Sequence, residues 1–193
     1  MLKKIYNSIR KVFDKEWGET LQRNFPFKFK GKTYWYSRSC ATAAFIYCMD
    51  KNGVMYVLAC KRGKGAADYQ GYWNVPCGYL EYNLHGKENM VKELKEETSI
   101  EINKESLRLV SVESNPKANR QNVTLRYGCI IADKTIDDFK FNLDNMEPDE
   151  VEDVKWVQFG KHKNLQWAYN HDMRITQVYG QLIRGYNLEA IED

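Results

Sequence analysis

Residues 78–100 read GYLEYNLHGKENMVKELKEETSI, and this stretch decides the fold. Glu93, Glu96 and Glu97 stand at i, i+3 and i+4, so a helix here gathers their carboxylates on one face within about one turn. Like charges at that spacing repel by roughly a few tenths of a kcal/mol per pair, and no packing demand puts them there. A hard divalent cation supplies the reason, because Mg2+ takes oxygen ligands from one or two carboxylates together with substrate phosphates. Met90, Val91 and Leu94 fall on the opposite side and suit a core. Upstream, Trp73-Asn74-Val75-Pro76-Cys77-Gly78 has the composition of a short strand running into a tight turn. The sequence therefore predicts a strand, a turn and a helix acting as one unit, with the carboxylates facing out of it.

The spacing resembles the signature of the Nudix hydrolases, Gly-x5-Glu-x7-Arg-Glu-apolar-x-Glu-Glu-x-Gly-apolar, which runs here from Gly78 through Lys92-Glu93-Leu94-Lys95-Glu96-Glu97-Thr98-Ser99-Ile100 without insertion. Leu84 stands where the family has its first Glu, Lys92 where it has Arg, and Ser99 where it has Gly. In the family the first Glu and the Arg brace the loop against the helix. Their joint replacement is therefore expected to loosen the loop and leave the metal group whole. Ser99 lacks the ease with which Gly turns left-handed, so the helix end is expected to be capped differently.

The resemblance implies an α/β fold, an α/β/α sandwich with a mixed central sheet. It also implies metal-dependent hydrolysis of a pyrophosphate bond in a nucleoside diphosphate linked to another moiety. By resemblance, Glu93, Glu96 and Glu97 hold Mg2+ or Mn2+, with the backbone carbonyl of Cys77 as a further ligand. The proton of the attacking water goes either to Glu93 or to a glutamate outside the signature, for which Glu150 ranks ahead of Glu147. Arg62, Gly78 and Trp73 are the expected substrate contacts. ADP-ribose, dinucleotides, damaged nucleoside triphosphates and capped RNA all stay within the implied substrate range.

At 193 residues the chain is long enough for one domain of ordinary size with a sizeable core. The expected division is an amphipathic helix over residues 1–25 followed by the catalytic domain over 26–193. A formal net charge of +3 suits an anionic substrate and falls short of the strongly basic balance of a nucleic-acid binder. The five cysteines are scattered and odd in number, with no C-x-x-C pair, which argues against a zinc knuckle or a disulfide framework. Reduced thiols in a cytoplasmic protein are the expectation. No apolar run approaches the roughly 20 residues of a membrane helix, and the N-terminus lacks the apolar core of a secretory signal.

Along the chain, Leu2, Ile5, Ile9, Val12, Phe13 and Trp17 form one stripe opposite Lys3, Lys4, Arg10 and Lys11. Such a helix packs on its own domain or serves a homodimer, and Asp14, Glu16 and Glu19 break the basic face that a membrane surface would need. Alternating aromatics around Gly31-Lys32 predict a short hairpin or two edge strands. Residues 41–48, 54–60, 107–112, 123–131 and 154–157 read as sheet strands. Lys61-Arg62-Gly63-Lys64-Gly65 closes the second of these with a basic loop whose N–H groups suit phosphate. Residues 164–186 read as a helix covering the sheet, with His171 at its surface. Beside the active hydrolase stands one competing class, a non-catalytic nucleotide-binding or regulatory module.

Overall fold

The computed structural model describes residues 24–119, 121–141 and 149–188. Residues 1–23 of the helix predicted over 1–25 lie outside them, as does Glu147, and Phe25 at its end belongs instead to a strand. Contacts group the chain into two compact units, Met1–Arg38 and Ser39–Asp193.

In the first unit β1 (Phe25–Phe29) and β2 (Lys32–Tyr36) form an antiparallel hairpin. Lys30 and Gly31 both take positive φ, 48° and 77°, the two-residue turn whose twist matches that of the flanking strands.

The second unit runs β3 (Ser39–Met49), β4 (Met55–Arg62), β5 (Trp73–Asn74), β6 (Cys77–Tyr79), α1 (Gly86–Thr98), β7 (Arg108–Glu113), β8 (Asn122–Thr135), β9 (Val151–Gln158) and α2 (His171–Ile183). Its strands make one seven-stranded mixed sheet. β8 pairs parallel to β3 along its whole length, and the remaining pairings are antiparallel. The two-residue period of β3 sorts the core into two layers. Ala44, Ile46 and Cys48 pack with Met90 and Leu94 of α1. Ala43, Phe45 and Tyr47 pack with Ile175, Val178 and Leu182 of α2. The second unit is thus the expected α/β/α sandwich. Met90 and Leu94 are fully buried, each worth about 1.5–3 kcal/mol over an exposed position. The Tyr47 hydroxyl, buried with its ring, donates to the Ile175 carbonyl at 2.6 Å, which satisfies it inside that layer.

One irregularity of the sheet shapes the site. β3 pairs with β4 only at Tyr47–Met49, and with β6 at Ala41–Ala43, along the same edge. β4 likewise meets β3 at its start and β5 at Cys60–Lys61. The two strands therefore diverge, and Trp73–Tyr79 fills the wedge between them. Sequence reasoning expected one short strand there. The chain instead makes two, because its halves serve different neighbours on either side of Val75-Pro76.

The C-terminal helix starts at His171, seven residues later than expected. Trp73 N–H donates to Gln166 O and Ala168 N–H to Trp73 O, both at 2.8 Å, so this stretch extends the sheet edge. Tyr169 and Asn170 then take positive φ, 56° and 55°, at the turn into α2. Cys48, Cys60 and Cys129 are buried, and all the cysteines are free thiols. Among the described residues no helix is long and apolar enough to cross a membrane.

Candidate active site

α1 forms where the signature predicts it. Its first turn is capped by the Glu88 carboxylate, which accepts the His85 N–H at 3.1 Å and complements the positive helix end. At the other end Ser99 itself takes the left-handed conformation, φ 59° and ψ 12°, and donates its N–H to Lys95 O. The cap is the ordinary left-handed one, built on a residue that pays a steric penalty for it; the expectation of a different cap is corrected.

Glu93 and Glu97 come together at the β6 turn. The Glu93 carboxylate lies directly against Gly78, in the space a Cβ there would enter. The Cys77 N–H donates to Glu97 Oε2 at 3.2 Å. Burial pushes the Glu97 carboxyl well above the usual range, and the neighbouring Glu93 charge pushes it further. Burial likewise pushes the Cys77 thiol up to about 12, with Glu97 adding to it. Glu96 is drawn aside: its Oε2 lies 2.5 Å from the Lys92 ammonium, which also reaches Glu81 Oε1 at 3.1 Å. Among the described residues no three His, Cys, Asp or Glu side chains stand grouped for a metal ion. The donors still fit a hard cation. They are carboxylate oxygens, and the mutual repulsion of Glu93 and Glu97 is what a divalent charge would relieve.

The Lys92–Glu81 pair corrects the expectation of a loosened loop. Leu84 is half-buried, and Glu81, three residues earlier, carries the acid that meets Lys92. Asn89 ties the same loop down from a fully buried position: its Oδ1 accepts the Glu81 N–H at 3.1 Å and its Nδ2 donates to Thr42 Oγ1 at 2.9 Å. Sequence reading passed over Asn89 and Glu81. A polar residue four before Glu93, on the carboxylate face of the helix, was the available signal for Asn89.

Arg62, at the end of β4, donates to the Asp68 carbonyl and carboxylate, both at 2.8 Å, and stacks over Tyr169 at 5.4 Å. Its positive charge offsets a small part of the rise that burial imposes on Glu97 and Cys77. The glycines next to it do not present free amides. Gly63 N–H donates to Glu150 O and Gly65 N–H to Asp149 O, both at 2.7 Å. A Cβ on Gly63 would collide with the Asp149 carbonyl. Close packing of two loops, not phosphate, accounts for these glycines. Glu150 lies exposed on the second loop, its backbone held there by Gly63.

Two further expectations change. Trp73 is only 7% exposed and sits in the α2 layer, with the Lys155 ammonium 3.8 Å from its ring centre; it is core, not a substrate platform. His171 is buried at the start of α2 and not at the surface, since its ring is 6% exposed and packs edge-on to Phe45. Its Nδ1 accepts the Val75 N–H at 3.1 Å. Burial first, then the charges of Arg126, Arg62 and Arg174, lower its pKa to about 3. It is a neutral acceptor that fixes the segment leading to Cys77.

The chain belongs to the Nudix family, whose NUDIX domain model matches residues 40–177. Among solved structures, the NUDIX domain of Shewanella oneidensis NrtR, complexed with ADP ribose, is 17% identical with a TM-score of 0.62, covering 76% of this chain and 90% of that one. A bifunctional NMN adenylyltransferase/ADP ribose pyrophosphatase from Francisella tularensis, complexed with AMP and Mn, is 18% identical with a TM-score of 0.62. That match covers 91% of this chain and 47% of the other, so the chain spans about half of that protein's length. A NUDIX hydrolase from Nitrosomonas europaea is 14% identical, TM-score 0.59, over 81% and 97% of the two chains. At these identities the likeness is one of fold. A search of curated proteins returned no match.

Proposed function

We propose that this protein hydrolyses the diphosphate linkage of a nucleotide derivative, with a divalent cation as cofactor. The observation that carries the reading is the meeting of Glu93 and Glu97 at the Gly78 turn, two carboxylates whose mutual repulsion a divalent cation between them would relieve. Glu93, Glu96 and Glu97, with the Cys77 carbonyl, are the residues assigned to Mg2+ or Mn2+. Such an ion neutralises the diphosphate and lowers the pKa of a water bound to it. The chain's own part is positional. Lys92 holds Glu96 in reserve, Asn89 and Glu81 fix the loop, and His171 fixes the approach to Cys77. Arg62 offers its guanidinium to substrate phosphate. Glu93 is the carboxylate assigned to the proton of the attacking water, and Glu150 is the alternative outside the helix.

The test is product release from a panel of nucleoside diphosphate derivatives with Mg2+ or Mn2+, run on wild type, Glu93→Gln, Glu97→Gln and Glu150→Gln. Loss of rate by orders of magnitude in Glu97→Gln supports the reading. Equal turnover by wild type and Glu97→Gln overturns it. A second reading, a nucleotide-binding regulator without turnover, is favoured by one observation, the ion pair that holds Glu96 off its helix neighbours. It is supported by a panel that raises the melting temperature without product.

A further inference from the structure

On the α2 side of the sheet, one row of residues lies in register across four strands: Ser111 of β7, Arg126 of β8, Ala43 of β3 and Cys77 of β6. Residues paired directly across strands share a face. Arg126 therefore projects on the side where Ala43 packs, two strand spacings from Cys77, which is about 10 Å. Only the Ala43 methyl stands in the row between them.

Arg126 is not alone there. Arg174, from the first turn of α2, brings its Nη2 to 3.0 Å from Glu113 Oε2, and Arg126 Nη2 approaches the same oxygen at a long 3.4 Å. The other oxygen of Glu113 accepts the Asn115 N–H at 3.0 Å. One carboxylate thus faces two guanidinium groups, which leaves a positive charge in excess. The setting is partly closed, with side-chain exposures of 11% for Arg126, 26% for Arg174 and 18% for Glu113, so water offsets that excess less than at an open surface. Burial and then the charge of Arg174 lower Arg126, and burial followed by the arginines lowers His171. Guanidinium forks are matched in shape to phosphate oxygens, which they hold through paired N–H donors.

We propose that the guanidinium groups of Arg126 and Arg174, held side by side on Glu113, form a subsite for a phosphate of the substrate other than the two joined by the cleaved bond. This rests on the hydrolase reading for its placement, since the subsite lies two strands from the Cys77 turn. It names the substrate class: a nucleoside diphosphate derivative that carries a further phosphate on one of its two halves. Glu113 acts as a stand-in anion, keeping the arginines together when no phosphate is present.

The test separates this subsite from the metal site by working without metal. Inorganic phosphate is titrated into the full chain in EDTA at constant ionic strength, with calorimetry and thermal melting as readouts. Wild type is expected to bind it and to melt at higher temperature as phosphate rises. Arg174→Gln, which is the less buried change, and Arg126→Lys, which keeps the charge but loses the fork, are each expected to weaken binding about tenfold. Glu113→Gln removes the competing anion, so phosphate binds it more tightly and restores melting temperature lost by the substitution. Glu97→Gln, away from the arginines, leaves phosphate binding unchanged. Absence of phosphate binding in wild type, or equal binding by wild type, Arg174→Gln and Arg126→Lys, overturns the proposal. If arginine-dependent binding holds while no compound is hydrolysed with Mg2+ or Mn2+, the hydrolase reading falls and the subsite stands.

Discussion

Acidification strikes this protein at His171. Folded, the ring is neutral with its pKa lowered to about 3; unfolded, it returns to about 6.5. The unfolded chain therefore binds the proton first. The contribution of His171 is complete above about pH 6.5 and is lost as pH falls toward 3, because stability rises with pH wherever the unfolded state holds more protons. Linkage between those two values gives a loss of about 2 kcal/mol by pH 5 and about 3 kcal/mol by pH 4. Other groups titrate over the same range, so the measurement is a comparison with His171→Asn, whose Oδ1 occupies the place of Nδ1 and still accepts the Val75 N–H. The variant loses ring packing against Phe45 and Tyr169 at every pH, which is a constant offset. Urea unfolding of both proteins from pH 7.5 to 4.5 should show the wild-type advantage shrinking by about 2 kcal/mol between pH 7 and 5. Parallel curves would refute the account, since a ring that charges freely in the folded state gives no such convergence.

Gly63→Ala drives a methyl into the Asp149 carbonyl and should destabilise by about 1–3 kcal/mol, read as a lower urea midpoint with unchanged slope. Ser99→Gly removes the left-handed penalty at the end of α1 and should stabilise by about 0.5–1 kcal/mol, read from the melting temperature. Lys92→Met releases both Glu81 and Glu96; if the ion pair restrains Glu96, the variant needs less Mn2+ for half-maximal melting stabilisation, and an unchanged or higher requirement refutes that role.

The fold was legible because its signals are local. The spacing of Glu93, Glu96 and Glu97 gave α1, and the apolar runs 41–48 and 54–60 gave β3 and β4 within two residues of their ends. What resisted reading depends on contacts between distant segments. Trp73, read as a substrate contact on a short strand before a turn, is walled in by the strand-like run of Gln166–Ala168 along its backbone, which sequence does not show. His171 had no partner in sequence, because its partner is Val75, ninety-six residues away. Glu81 was hidden for a different reason: it departs by three positions from where the signature places an acid, and a loop can close that gap while a helix cannot.

The stitching of Gly63 and Gly65 to Glu150 and Asp149 carries a lesson about motion. A Lys-Arg-Gly-Lys-Gly sequence on a surface has the composition of a pliant loop, yet two of its amides are locked in backbone hydrogen bonds to a segment more than eighty residues away. Those amides should exchange with deuterated solvent far more slowly than the neighbouring Lys64. Neither segment can swing outward without breaking both bonds, so the two are tied into one unit.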